Sequence, residues 1–306
     1  MKKYIIILAL SITAVRLSAQ QELMISQYMF NSMVLNPAYA GTHDYWSTSL
    51  LHRSQWVKFD NAPRTQFLSA DGPIFGGKAG LGFNVSNDAL GITNVLDFNA
   101  NAATSVRLAK GRLSFGLRLG MSRYSAQLTE AIIKDVEDPV YANNINGAMV
   151  PRVGAGIYYY QNNFFAGVAM PTLLSVDDKI SYTTTGVNSF YQNHVYMNAG
   201  AVFTPMQELA IKPSVLVKLQ GNAPASIDLN CNALFMNKFW FGAGYRVGDA
   251  MVTMLEWNIT PQLRIGYAFD YTLSSISKYS NNSHEVMVGY DLGRAAIVKT
   301  RSPRYF

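Results

Sequence analysis

The stretch "LSFGLRLGMS", residues 113–122, changes character at every step. Its odd positions are Leu113, Phe115, Leu117, Leu119 and Met121, and its even positions are Ser114, Gly116, Arg118, Gly120 and Ser122. A period of two is that of a β-strand, whose side chains alternate between its faces, so one face here is oily and the other small or polar. The alternation returns at Leu263, Ile265, Tyr267, Phe269 and Tyr271 against Arg264, Gly266, Ala268 and Asp270. It returns again at Ile227, Leu229, Cys231, Ala233 and Phe235 against Asp228, Asn230 and Asn232. In a water-soluble sandwich the second face would be rich in Lys, Glu and Thr. A face of Gly, Asn, Ser and isolated charges suits a polar lumen instead, with the oily face turned to lipid. The expected fold is all-β, a transmembrane outer-membrane β-barrel.

Composition agrees. Hydrophobic residues make up 49% of the 306, and charged residues only 14%, against about 25% in an average soluble domain. After residue 19 no uninterrupted apolar run approaches the roughly 20 residues of a spanning helix. Before it, Lys2 and Lys3 precede an apolar run at 4–15, and Leu17-Ser18-Ala19 supplies small residues for cleavage. Residues 1–19 are therefore expected to be a signal peptide, with the mature chain starting at Gln20. Arg16 closes that run, and no Cys follows it to carry a lipid. The net charge of +6 falls to +3 without Lys2, Lys3 and Arg16, and no basic run suggests nucleic acid. The lone Cys231 excludes an intrachain disulfide and reads as a small apolar residue on one strand face.

About fourteen alternating segments can be marked, starting near residues 44, 65, 78, 95, 112, 149, 163, 194, 208, 225, 238, 249, 262 and 284. Alternate connections are short, such as 75–77, 109–111 and 161–162. The others include the long stretches 57–63, 87–94, 126–148, 171–192 and 273–283. An even number of strands with short turns on one rim and long loops on the other is the outer-membrane pattern, which puts the short turns and both termini in the periplasm. The expected organisation is a signal peptide at 1–19, an N-terminal periplasmic or plug segment at 20–43, the barrel at 44–298 and a periplasmic tail at 299–306. Trp46, Trp56, Tyr124, Tyr158, Tyr159, Tyr160, Trp240 and Trp257 fall near strand ends, where girdle or packing roles both fit.

No catalytic, cofactor or metal residues are expected. The four histidines, at 43, 52, 194 and 284, are isolated, without H-E-x-x-H spacing or a Cys partner. His52 or His284 could join a Ser-His-Asp set on paper, but no G-x-S-x-G accompanies them. The acidic clusters at 135–138 and 177–178 fall in long loops and lack the calcium-loop pattern. Arg118, Arg152, Lys212, Lys218, Arg246 and Arg264 share the inward phase with Asp97, Asp228, Glu256, Asp270, Glu285 and Asp291. Such charges can line a pore or brace the barrel by pairing across it.

Three motifs then carry a resemblance. "QYMFNSMVLNPAYAG" at 27–41, "HRSQWVKFDNAPRTQFLSADGPI" at 52–74 and the closing "SPRYF" at 302–306 resemble the PorP/SprF family of Bacteroidetes outer-membrane barrels, over essentially the whole mature chain. Departures from the family's pattern are Ser32 where Pro is usual, and Lys58 and Asn61 where Gly is common. The resemblance implies a non-enzymatic barrel associated with type IX secretion or gliding motility. Its partners would be secretion and gliding components, a secreted adhesin or a cargo sorting domain, with membrane lipid and lipopolysaccharide around it and no nucleic acid. The competing role is a channel or transporter for a small or hydrophobic solute.

The resemblance marks as partner-binding or plug residues Gln27, Tyr28, Phe30, Asn31, Asn36, Pro37, Tyr39 and Gly41, then Arg53, Gln55, Trp56, Phe59 and Pro63, and finally Arg304, Tyr305 and Phe306. The oily run from Met24 to Leu35 would not stay in water. The segment Gln27 to Gly41 is expected to pack against the periplasmic mouth or into the lumen, with Asn36-Pro37 turning the chain toward the first strand; docking a periplasmic component is the alternative. Pro303 would interrupt a strand, so the last residues are expected to form a tail, although a terminal Phe also serves as a barrel-assembly signal.

Overall fold

The computed structural model describes residues 23–130, 143–175, 193–221 and 223–293. The signal peptide at 1–19, the tail at 299–306 and the acidic clusters at 135–138 and 177–178 lie outside these residues. The strands are β1 (Trp46–Ser54), β2 (Arg64–Ile74), β3 (Ala79–Leu90), β4 (Thr93–Leu108), β5 (Gly111–Ala126), β6 (Ile145–Tyr160), β7 (Phe164–Ser175) and β8 (His194–Ala201). They continue as β9 (Phe203–Met206), β10 (Leu209–Gln220), β11 (Ala223–Phe235), β12 (Phe239–Arg246), β13 (Ala250–Asn258), β14 (Leu263–Thr272) and β15 (Ser283–Leu292).

Sequence neighbours pair antiparallel except that β8 pairs with β10 and not with β9, and β1 pairs with β15 from Trp46↔Leu292 to Ser54↔His284, which closes the sheet into a barrel. The short β9 continues the line of β8 after a break at Val202 and pairs only with β10. The ring is therefore a closed 14-strand barrel with one extra strand. Closure pairs both sides of the fourteen ring strands, as a membrane requires, and only the short β9 keeps an open side. Each strand expected from periodicity begins within four residues of an observed one.

The alternation in "LSFGLRLGMS" runs as expected. In β5, Phe115, Leu117, Leu119 and Met121 are exposed on the outer wall, while Ser114, Gly116, Arg118 and Ser122 are buried inside. Several aromatic residues depart from a girdle role. Tyr124, Tyr158, Tyr160 and Trp240 are buried, because each sits in the inward phase of its strand. Trp257 is exposed and stacks on Phe239 at 6.2 Å.

One rim carries the short turns 75–78, 109–110, 161–163, 207–208, 236–238 and 259–262. At the other rim end the strands separated in sequence by 55–63, 127–144, 176–193 and 273–282, and those separated by only two or three residues at 91–92, 221–222 and 247–249. The loop 55–63 is tied across this second rim: the Val57 amide donates to the Asn282 carbonyl at 2.9 Å, and the Gly91 amide donates to the Asn61 carbonyl at 3.0 Å. Lys58 and Asn61 have φ of 73° and 57°. These are left-handed values that glycine adopts most easily.

Candidate functional site

Residues 23–43 lie inside the barrel. Leu23, Met24, Asn31 and Gly41 are half-buried, and the rest are buried. Three short 3-10 turns, Tyr28–Phe30, Ser32–Val34 and Pro37–Tyr39, fold the segment on itself. A chain inside a lumen has no neighbouring strand to satisfy its amides, so it uses internal turns and side chains of the wall.

At the long-loop rim, Met24 Sδ lies 3.8 Å from Gln55 Nε2, just past the end of β1. Below it, the amides of Ser26 and Gln27 each donate to Glu285 at 2.8 Å. Ser26 Oγ donates to Asp270 at 2.8 Å and accepts from Arg53 at 2.9 Å. Arg53 bridges Asp270 at 2.7 Å and Glu285 at 3.2 Å, and all three side chains are almost fully buried. Arg246 joins the group through Asp228 at 3.3 Å and Asp270 at 3.4 Å, and Lys218 pairs with Asp228 at 3.2 Å. Buried charges persist only when paired and hydrogen-bonded. Here the pairs draw together β1, β10, β11, β12, β14 and β15 around the start of the segment.

The middle is apolar and amide-rich. Asn230 donates to the Tyr28 hydroxyl at 2.6 Å. Phe30 meets Trp240 edge to face at 5.6 Å. Asn31 donates to Ser49 at 2.6 Å and Ser69 at 2.5 Å. Arg118 donates to the Met33 carbonyl at 2.7 Å and the Val34 carbonyl at 3.1 Å.

The lower end fits notches in the wall. Asn36 accepts from the Ala38 amide at 2.9 Å, capping the turn that Pro37 begins, and donates to the Ile157 carbonyl of β6 at 3.0 Å. A Cβ on Gly116 would fall 2.2 Å from the Ala38 nitrogen, and one on Gly80 would fall 2.0 Å from the Ala40 carbonyl oxygen. Only glycine admits the segment so closely. Tyr39 packs edge to face on Tyr158 at 5.4 Å, and the Gly41 amide donates to Asp71 at 3.0 Å. The chain then turns into β1 at Trp46.

The segment thus runs the length of the lumen. Both chain ends, expected in the periplasm, lie outside the described residues. Met24 lies at the long-loop rim, and β15 ends at Leu292, beside Trp46 on the short-turn rim. The upper ion cluster holds Ser26 and Gln27 at the long-loop end of the barrel.

Among the residues singled out in the sequence, Gln27, Tyr28, Phe30, Asn31, Asn36, Pro37, Tyr39, Gly41 and Arg53 come together in the lumen. Gln55, Trp56, Phe59 and Pro63 sit in the loop 55–63, where the Gln55 amide donates to the Pro63 carbonyl at 3.0 Å and the Trp56 amide to Ser283 Oγ at 3.1 Å. Phe59 is exposed. Arg304, Tyr305 and Phe306 lie outside the described residues. Ser26, Gly80, Gly116 and Trp240 belong to the site but were not singled out for it. Their signal was present only as the inward phase of the strands, and for Ser26 as adjacency to Gln27.

Other inward charges brace the wall in pairs: Arg152 lies 2.9 Å from Asp97, and Arg264 3.8 Å from Asp291. Among the described residues no group of His, Cys, Asp and Glu could hold a metal. His52 Nε2 lies 3.2 Å from Ser54 Oγ, two positions away on β1.

Comparison with known proteins follows this geometry. Among curated proteins none matches the chain. Of solved structures, the chain is similar to an outer membrane protein of Acinetobacter baumannii (9% identity, 82% of this chain and 100% of that one, TM-score 0.48). It is likewise similar to the toluene transporter TbuX of Ralstonia pickettii (10% identity, 90% and 95%, TM-score 0.49). The family model described as type IX secretion system membrane protein PorP/SprF matches residues 17–290. With most of the chain covered by that match, the protein belongs to the PorP/SprF family of type IX secretion system membrane proteins.

Proposed function

We propose that this chain is a plugged, non-catalytic outer-membrane barrel that serves secretion or gliding by binding proteins. One class of partner is a secreted adhesin or cargo sorting domain, and the other is the periplasmic part of the secretion machinery. The long loops face outward and the short turns face the periplasm, as the loop asymmetry suggests. The observation that carries the reading is the filled lumen: the segment 23–43 occupies it and is bonded to the wall along its length. A barrel so occupied has its outer loops and inner rim left as working surfaces.

Two measurements test it. In planar bilayers the pure protein is expected to give no sustained conductance, and from native membranes it is expected to co-purify with secretion components. Robust solute transport by the pure protein without any partner would instead establish the channel role. Replacing Tyr28 and Phe30 with Ser separates plug from dock: loss of barrel stability supports the plug, whereas a stable barrel that loses its partner makes the segment a docking peptide.

A further inference from the structure

The short-turn rim carries a charge arrangement that the barrel itself does not need. Arg107 and Arg112 face each other across β4 and β5 as a direct cross-strand pair, and Lys110 sits in the turn that joins them. Like charges directly opposite destabilise a hairpin. None of the three has an ion-pair partner among the described residues; Arg112 donates only to Ser105, at 3.4 Å. They line a recess of about 270 Å³ together with Tyr160, Gln161 and Asn162.

The surroundings do not offset the sign. Exposed on the same rim are Lys78 and Lys238, against the anions Asp44 and Glu208, which leaves the three hairpin cations in excess. Uncompensated charge of one sign steers and selects partners of the other.

Strand phase distinguishes lipid from protein as the partner. Arg107 and Arg112 share the phase of the lumen-facing Ser105 and Ser114, whereas Val106 and Leu108 are exposed on the lipid-facing wall. The guanidinium groups therefore belong to the mouth of the barrel and not to the bilayer belt.

We propose that this hairpin docks an acidic segment of a protein partner, whose carboxylates bridge Arg107 and Arg112 with Lys110 beside them. This rests on the reading that the short turns face the periplasm, and it adds the chemistry of the partner. Arginine forks suit carboxylates because two parallel N–H groups meet two oxygens.

The test uses the full mature protein in nanodiscs with a fluorescent oligoglutamate peptide. Binding is expected to weaken with salt, and Arg107→Glu to lower the affinity about tenfold, because it removes one cation and neutralises the one opposite. That variant also creates a favourable cross-strand pair, so the thermal stability of the barrel should hold or rise, which separates lost binding from lost folding. Unchanged peptide affinity in Arg107→Glu overturns the proposal. So does preferential binding of phosphatidylglycerol vesicles through the same residues, since the site is then a lipid site. If peptide binding fails while secretion components still co-purify, the docking chemistry falls and the functional reading stands.

Discussion

The two ends of the lumen segment are held by different physics. The upper end depends on charge: Ser26 and Gln27 hang on Glu285 and Asp270, which Arg53 neutralises. The lower end depends on shape: Pro37 to Gly41 press against Gly116 and Gly80, with Tyr158 alongside. Charge pairs tolerate small shifts in position but fail when one member is removed. A notch behaves the opposite way, surviving loss of a hydrogen bond yet rejecting an added methyl. The upper end is therefore brittle to deletion and the lower end brittle to insertion.

The largest expected effect is at the upper end. Arg53→Ala leaves Asp270 and Glu285 buried without their shared cation, at a cost of about 3–5 kcal/mol. Heat-modifiability on gels should show the barrel unfolding at a markedly lower temperature. At the lower end, Gly80→Ala forces a methyl into the Ala40 carbonyl and should cost about 1–3 kcal/mol. Proteolysis between residues 36 and 45 should rise in that variant while cleavage near Ser26 stays unchanged. Equal rises at both places would mean that the two ends are not independent.

Asn36→Ala removes the cap of the Pro37–Tyr39 turn and the bond to Ile157, an expected loss of about 1 kcal/mol. It should be milder than Gly80→Ala, and the reverse order would break the contrast. The smallest effect is that of salt. The upper pairs are buried, so raising ionic strength should barely change thermal stability, although it should weaken peptide binding at Arg107 and Arg112.

Much of the barrel was legible in the sequence because its signal is repeated. Each strand states its two faces, as Leu117 beside Arg118 does, and the wall needs only that alternation to be placed. The segment 23–43 was legible as oily and turn-prone, since Met29, Phe30 and Leu35 cannot face water, and Asn36-Pro37 is a turn on chemistry alone. Its path was not. The path is fixed by Arg53, Asp270 and Glu285, which stand far apart in sequence and meet only after the sheet closes. Trp240 misleads for a related reason: near a strand end it resembles a girdle residue, but its inward phase delivers it to Phe30. Gly80 and Gly116 look like ordinary small lumen residues until the segment they admit is in place.

The central claim is that the chain from Met24 to Asp44 threads the lumen from the long-loop mouth, proposed to face outward, to the short-turn mouth, proposed to face the periplasm. Single cysteines at 24, 33 and 44, in a Cys231→Ser background, can be probed with a membrane-impermeant maleimide on whole cells. The account predicts labelling at 24 on intact cells, labelling at 44 only after permeabilisation, and no labelling at 33 until the barrel is unfolded. Labelling at 24 that requires permeabilisation, or ready labelling at 33 in the folded protein, would contradict it.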